Sequence, residues 1–150
     1  MAHFLADGML GRLAKWLRIL GYDTKYSAHW DDNELARIAR AEGRILLTRD
    51  RELSHRRGLQ FLLIESDDPE EQLAQVVRAF VLSLGDSFSR CPVCNTSLED
   101  VPKQVAWGQV PSYVFKTQER FRLCSQCNRF YWRGTHWQGM QRKIKRMIGG

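Results

Sequence analysis

Hydrophobic positions in the first half of the chain alternate between strand-like runs and helical repeats. The strand-like runs are residues 3–7, 24–27, 44–48 and 59–65. Segments in which apolar residues recur at three- and four-residue spacing are 8–21, 31–43 and 70–84. Strands that lack polar alternation and are separated by helices are typical of a parallel sheet covered on both faces. The pattern therefore predicts an α/β fold for this half.

Several residues mark the ends of the predicted helices. Gly21 and Gly43 are placed to terminate the first and second helices, because glycine readily adopts the left-handed conformation of a C-cap. Asp31 and Glu34 have the spacing of a capping box at the start of the second helix. The apolar face of the third helix comprises Leu73, Val76, Val77, Phe80, Val81 and Leu84.

The pattern changes after about residue 90, where strand-like pieces surround two Cys-x-x-Cys pairs. These pieces are residues 103–107, 112–116, 121–124 and 129–132. The basic segment 138–150 is predicted to be helical up to its final glycines, and residues 85–90 are predicted to be a linker. We therefore expect two domains, 1–86 and 87–150, of which the second is small and β-rich.

Charge divides the chain at the same place. The formal net charge is +6. Residues 1–89 contain 12 Lys and Arg against 14 Asp and Glu, whereas residues 90–150 contain 11 against 3. Eight of the 16 aromatic residues also lie after residue 90. A basic, aromatic-rich segment favours RNA as the partner.

Two expectations concern location. The sequence has no run of about 18 apolar residues, so no membrane partner is expected. The N-terminal segment lacks the basic start of a secretory signal. A reducing, cytoplasmic compartment is therefore expected, and the oligomeric state is left open.

Acidic residues follow three of the predicted strands. Asp7, Asp50 and Glu65 stand at strand ends, and Asp67 lies just beyond the last of them. In an open parallel sheet, ligands bind outside the carboxyl ends of the strands. Gathered carboxylates repel one another, and Mg²⁺ or Mn²⁺ with oxygen ligands relieves that repulsion. Such ions can activate water and stabilise the charge of a phosphodiester under attack.

Each acid also has a purely structural alternative. Asp7 and Asp50 can each cap the helix or turn that follows, because Asp is a favoured N-cap residue. Either Asp31 or Asp32 must cap the second helix, which leaves at most one of them for chemistry. Asp67, close before Pro69, fits an ordinary turn.

The four cysteines form two pairs with the spacing of metal-binding knuckles. They are Cys91, Cys94, Cys124 and Cys127. Four thiolates make a closed tetrahedral Zn²⁺ site, which is structural rather than catalytic. A redox dithiol is the rival interpretation, but it does not account for two pairs with no cysteine left over. The long spacer between the pairs is expected to carry an additional hairpin.

In combination, these motifs resemble the Mut-seven C-terminal RNase family. The resemblance lies in residues 4–24, FLADGMLGRLAKWLRILGYDT, in residues 31–53, DDNELARIARAEGRILLTRDREL, and in the two cysteine pairs followed by FYWRGTHW. It covers nearly the whole chain. It implies a PIN-like nuclease domain with a metal-binding acidic centre, followed by a zinc ribbon, and ribonuclease activity.

The resemblance also implies roles for individual residues. Asp7, Asp32 and Asp50 match the family's acids, so they are the expected catalytic residues and ligands of Mg²⁺ or Mn²⁺. PIN nucleases commonly have a fourth acid, for which Glu65 and Asp67 are the candidates.

Basic residues near these motifs are candidate RNA contacts. They are Arg49, Arg51, Arg129, Arg133, Lys143, Lys145 and Arg146. On the first helix, Arg12, Lys15 and Arg18 either face a phosphate or form its solvated side. Two other functions remain open, namely a non-catalytic RNA-binding or adaptor protein with a degenerate nuclease fold, and a ribbon that binds another protein.

Overall fold

The computed structural model describes residues 2–83 and 88–149. The strands are β1 (Phe4–Ala6), β2 (Thr24–Tyr26), β3 (Ile45–Thr48), β4 (Phe61–Leu63), β5 (Glu99–Val101), β6 (Phe121–Leu123) and β7 (Phe130–Tyr131). The helices are α1 (Gly11–Ile19), α2 (Asp32–Glu42), α3 (Arg51–Ser54), α4 (Pro69–Phe80), α5 (Ser112–Thr117) and α6 (Thr135–Gly149). None of the described helices is long and apolar enough to cross a membrane.

The first four strands form one sheet in the order β2-β1-β3-β4, and all three pairings are parallel. Successive side chains of a strand point to opposite faces. Phe4, Ala6 and Leu47 accordingly enter the core under α1 and α4, whereas Leu5 and Leu46 pack under α2 and α3. The predicted α/β fold, with a parallel sheet flanked by helices, is confirmed.

The helix ends agree with most of the sequence signals. After α1, Gly21 has a φ of 100° and donates its N–H to the carbonyl of Arg18, while Tyr22 donates to Leu17. This pair of bonds is a Schellman motif. Gly43 ends α2 with a φ of 64°.

The predicted extent of the third helix is wrong at its C-terminus. α4 ends at Phe80, and Val81 adopts a left-handed conformation with its side chain 89% exposed. Val81 therefore does not belong to the buried face. Leu84, also assigned to that face, lies outside the described residues.

The C-terminal helix packs against the α/β core. Trp137 and Ile144 of α6 are buried in the same cluster as α1 and α4. The basic tail is helical as predicted, but its apolar face joins the first half of the chain. The division into domains at residue 86 stays a prediction, since residues 84–87 are not described.

The remaining strands form a small antiparallel sheet in the order β5-β6-β7. Two strand predictions in this part are wrong, because residues 103–106 form a 3₁₀ turn and residues 112–117 form α5. Each follows a proline, which fixes φ and favours the first turn of a helix. Between the cysteine pairs, where an additional hairpin is expected, β5 and β6 pair antiparallel, and the 3₁₀ turn and α5 form the connection between them.

Arg18 joins this small module to α1. Its side chain is 8% exposed, and it donates to the carbonyls of Thr24 and Pro92, each at 2.8 Å. Burial lowers the pKa of Arg18, although nearby thiols and Asp23 oppose the shift. Arg18 is thus neither on a solvated helix face nor available to a phosphate.

A second polar contact lies beside the first. The Asn95 side chain donates to Asp23 at 2.7 Å and accepts from the Thr24 N–H at 3.1 Å. Asp23 also pairs with Arg44 at 3.0 Å. Burial raises the pKa of Asp23, but the hydrogen bonds from Arg44 and Asn95 outweigh it, so the pKa lies below its usual value.

This lowered pKa predicts how the stability of the chain depends on pH. A carboxyl group with a depressed folded-state pKa contributes stability above the ordinary value of 3.8, and this is lost as the pH falls through the folded pKa. We expect Asp23→Asn to lower the free energy of unfolding by about 1–2 kcal/mol at pH 7. The loss should be unchanged at pH 5. Urea unfolding at both pH values tests this, with the exposed Asp100→Asn as the control. A loss that shrinks between pH 7 and pH 5, or that equals the control, contradicts the assignment.

Candidate functional site

The strand order creates a crevice between β1 and β3. After β1 the chain turns through α1 towards β2, whereas after β3 it turns through α3 towards β4. The two connections leave the sheet in opposite directions, and ligands bind at such a switch point. Asp7 and Asp50 follow the two strands that border this crevice.

Asp7 is held from two sides. Its side chain is 8% exposed; one carboxylate oxygen accepts from the Met9 N–H at 3.0 Å, and the other accepts from the Thr48 hydroxyl at 2.6 Å. Helix α1 begins at Gly11, with Leu10 as its N-cap residue. Asp7 therefore stabilises the turn that precedes α1 and is not the N-cap residue of that helix.

Asp50 both caps a helix and faces the crevice. Its Oδ1 accepts from the N–H groups of Glu52 and Leu53 at 2.9 and 3.4 Å, which caps α3. Its backbone N–H donates to the Thr48 hydroxyl oxygen at 2.9 Å. Oδ2 has no hydrogen-bond partner among the described residues and is available to a ligand.

The structure also separates Asp31 from Asp32. Asp31 is the N-cap residue of α2 and accepts from the Glu34 N–H at 2.8 Å. Asp32 is exposed, and its carboxylate makes no hydrogen bond or ion pair within the described part of the chain. Asp32 is consequently the member of the pair that is free for chemistry.

The three acids line a single cavity of about 500 Å³. Its lining residues are Asp7, Gly8, Met9, Trp30, Asp32, Leu35, Arg49 and Asp50. We call this space the acidic cavity. Its three carboxylates do not form a cluster as tight as that of the cysteines, whose ligand atoms all lie within 4.8 Å of one another.

The two candidates for a fourth acid do not line the acidic cavity. Glu65 lines a different cavity together with Arg78 and Met147. Asp67 is exposed in the turn before α4. Neither is brought to Asp7, Asp32 and Asp50, so the identity of a fourth acid stays a prediction.

The basic candidates are spread over several surfaces. Arg49 lines the acidic cavity, and Arg51 is exposed at the start of α3. Lys143 pairs with Glu70 at 3.2 Å. The others are exposed in the second half of the chain, namely Arg129, Arg133, Lys145 and Arg146.

The cysteine pairs form two matching knuckles. In each, the Asn that follows the second cysteine donates its N–H to the carbonyl of the first cysteine at 2.8 Å, from a left-handed conformation. Asn95 and Asn128 suit these turns, because Asn tolerates positive φ. The two turns of the backbone therefore direct the four Sγ atoms towards one point.

The sulfur geometry fits a zinc ion. Sγ of Cys91 and Sγ of Cys127 are 3.8 Å apart. A tetrahedral site with Zn–S bonds of about 2.3 Å has sulfurs about 3.8 Å apart. The hydroxyls of Tyr131 and Thr96 lie 3.1 Å from Cys91 Sγ and 3.4 Å from Cys124 Sγ, where they can donate to thiolates. The four-cysteine cluster can thus hold a structural zinc.

Sequence reasoning missed two residues of this region, one buried behind the acidic cavity and one in its lining. Thr48 bridges Asp7 and Asp50, yet in the sequence it reads only as the last residue of an apolar strand. Trp30 lines the cavity beside Asp32. An aromatic residue directly before an acidic pair was the available signal.

The chain is similar to a known protein family and to a human protein. A family model described as the Mut7-C RNAse domain matches residues 2–144. A human protein named "Exonuclease mut-7 homolog" is 32% identical to the chain over 116 residues. That match covers 69% of this chain and 13% of the relative, so it concerns a small part of that protein. No solved structure matches the chain.

The four-sulfur site predicts the metal content of the purified chain. We expect about one zinc per chain, and we expect Cys124→Ser to lose it because a closed site needs all four thiolates. Helical circular dichroism should largely persist, since the α/β core contains none of the four cysteines. Elemental analysis of the zinc content measures the result, with the neighbouring Ser125→Ala as the matched control. Retention of zinc by Cys124→Ser, or its loss from the control, contradicts the site.

Proposed function

The chain belongs to the Mut7-C RNAse domain family, and on that premise we propose that it is a metal-dependent ribonuclease. Family membership and the similarity to an exonuclease homolog indicate a nuclease-type function. The finer proposal is hydrolysis of RNA phosphodiesters at the acidic cavity. It rests on one observation, the placement of Asp7, Asp32 and Asp50 around one cavity at a switch point of the parallel sheet.

The carboxylates have the acceptor capacity that a hard cation requires. Asp32 has both oxygens free of partners within the described residues, and Asp50 has one. Asp7 keeps an additional lone pair on each oxygen, since a carboxylate can accept about four hydrogen bonds. These three residues would hold Mg²⁺ or Mn²⁺, which supplies Lewis-acid activation of water and neutralises phosphate charge.

Other residues of the acidic cavity fit the handling of a phosphodiester. Arg49 is exposed on the lining and has no acidic partner in the described part of the chain, so its guanidinium can meet a phosphate. Thr48 holds Asp7 in place by a hydrogen bond that is fully buried. Trp30 offers an aromatic surface to a base or ribose.

The second candidate function is a non-catalytic RNA-binding or adaptor protein. It is favoured because none of the described residues supplies a fourth acid to the lining of the acidic cavity. The two functions differ in turnover. An adaptor binds RNA without cleaving it in any divalent metal.

The adjacent acids of α2 provide a matched pair of variants. We expect Asp32→Asn to reduce Mn²⁺-dependent RNA cleavage by about 100-fold, because loss of even an outer-shell partner of a metal site typically costs about 10–100-fold and Asp32 is proposed as a direct ligand. Asp31→Asn should retain activity, because Asn is an equally good N-cap residue and Asp31 does not line the cavity. Cleavage of a labelled single-stranded RNA measures both. Equal activity in the two variants removes the acidic cavity as the catalytic site, and binding without cleavage by the wild type favours the adaptor.

The Thr48 hydroxyl gives a second matched pair. Both Thr48 and Thr24 are fully buried, and each hydroxyl makes a hydrogen bond. We expect either Thr→Val change to lower stability by about 1–3 kcal/mol, because a buried polar partner is left unsatisfied. Only Thr48→Val should also reduce cleavage, by about tenfold or more, because Thr48 positions Asp7. Urea unfolding and single-turnover cleavage separate the two effects. The role of Thr48 is disproved by equal cleavage in the two variants.

A further inference from the structure

Two adjoining cavities lie where the small module that contains the four cysteines and the sheet β5-β6-β7 meets α1 and α6. Their volumes are about 330 and 350 Å³, and they share Phe88, Tyr131 and Trp132. Each is near the lower limit, about 300 Å³, of pockets that hold small ligands. We call the pair the aromatic–arginine cleft and define it by Lys15, Trp16, Arg120, Arg122, Trp132 and Arg133. None of Asp7, Asp32 and Asp50 lines it.

The first cavity is cationic. Arg122 is fixed there by Asp100 at 3.2 Å and by the Phe88 carbonyl at 2.8 Å. Arg120 and Arg133 are exposed, and their guanidinium groups form no ion pair or hydrogen bond within residues 2–83 and 88–149. Two guanidinium groups therefore remain for an external anion, and their planar forks suit phosphate oxygens.

Acidic residues at the rim do not cancel this charge. Asp100 is already paired with Arg122. Glu119 is paired with Lys103 at 3.3 Å. Both acids are therefore occupied, and the uncompensated charge of the cavity belongs to Arg120 and Arg133.

The second cavity is aromatic. Trp16 lies near Trp137 and His136, with ring centroids 6.0 and 5.7 Å apart, and Trp132 makes an edge contact with Phe121 at 6.2 Å. These contacts fix the two rings, yet Trp16 and Trp132 are only half-buried. Lys15 is exposed at the rim of this cavity. The exposed ring surfaces are suited to stacking with a planar group.

Phosphate-binding groups next to open aromatic rings are the two elements of a single-strand binding surface. We propose that the aromatic–arginine cleft binds an unpaired polynucleotide strand, with bases on Trp16 and Trp132 and backbone phosphates on Arg120 and Arg133. In a duplex the bases stack on one another and cannot reach the rings. The identification of the strand as RNA rests on the proposed ribonuclease function.

Binding of a labelled single-stranded RNA of about 12 nucleotides tests the cleft. The chain carries Asp7→Asn so that the probe stays intact, and no chelator is added, because chelators strip structural zinc. Trp132→Ala should weaken binding by about tenfold or more through the loss of base stacking. Trp132→Phe should restore most of the affinity. Trp107→Ala, at a tryptophan that is 71% exposed and outside the cleft, is the control.

The arginine variants should differ from the Trp132 variant in the salt dependence of binding. The double variant Arg120→Ala and Arg133→Ala should weaken binding and reduce the slope of log affinity against log salt by about 1.4, because each single-strand phosphate contact contributes about 0.7. Trp132→Ala should leave that slope unchanged. The double variant Arg37→Ala and Arg57→Ala, at two exposed arginines outside the cleft, controls for the loss of two positive charges. Single-stranded DNA of the same sequence should bind comparably, because neither stacking nor phosphate contact needs a 2′-hydroxyl. Duplex RNA should bind more weakly, because its bases stack on one another and cannot reach the rings.

The outcomes separate this proposal from the proposed function. All variants are first shown to retain zinc and circular dichroism. Wild-type affinity in the Trp132 and arginine variants, or equal binding of duplex and single strand, overturns the cleft and leaves a protein as its partner. If the cleft variants weaken binding but the wild type does not cleave RNA, the cleft proposal is supported and the ribonuclease proposal is rejected. If the wild type cleaves RNA but the cleft variants bind as tightly as the wild type, the ribonuclease proposal is supported and the cleft proposal is rejected.

Discussion

The hydrogen bond from the Thr48 hydroxyl to Asp7 joins residues that are 41 positions apart in the chain. It forms because β1 and β3 are parallel neighbours, so that the residues following Ala6 and Leu47 emerge at the same edge. The same hydroxyl accepts the backbone N–H of Asp50. The buried hydroxyl of Thr48 thereby positions both the carboxylate of Asp7 and the backbone of Asp50. An antiparallel pairing of these strands would send the two acids to opposite edges of the sheet.

Much of this arrangement could be predicted from the sequence, because it depends on regularities of long range along the chain. Continuous apolar strands between amphipathic helices predict a parallel sheet, and a parallel sheet brings its strand ends together. Paired Cys-x-x-Cys motifs likewise predict a four-sulfur cluster whatever fold surrounds them. Capping-box spacing, by contrast, could not decide between Asp31 and Asp32, because either side chain can reach the first turn of α2. Their separate roles emerge only from the observed hydrogen bond to Glu34.

The failures lie where short apolar segments carry little periodic information. Residues 112–116 contain three consecutive β-branched or aromatic residues that suit a strand, but Pro111 precedes the segment and only Val114 is buried. A segment of five residues cannot distinguish a strand from one turn of helix by periodicity. The packing position of α6 also could not be predicted from the sequence. Its basic face predicts an RNA-binding tail, whereas Trp137 and Ile144 direct its apolar face into the α/β core.

The polar contacts around Arg18 explain why the cysteine module is joined to the sheet rather than tethered beside it. A buried guanidinium is stabilised only while its donors have acceptors, and two of the acceptors of Arg18 are the carbonyls of Pro92 and Val93 within the first knuckle. The conformation of that knuckle is in turn set by the sulfurs that converge on one point. The same residues therefore connect the metal-binding cluster to α1 and β2. Three residues of the acidic cavity, Asp7 to Met9, directly precede α1 in the chain, while Lys15 and Trp16 of α1 line the aromatic–arginine cleft. The contact between the first knuckle and Arg18 therefore joins the sulfur site to a helix that contributes to the cleft and adjoins the acidic cavity.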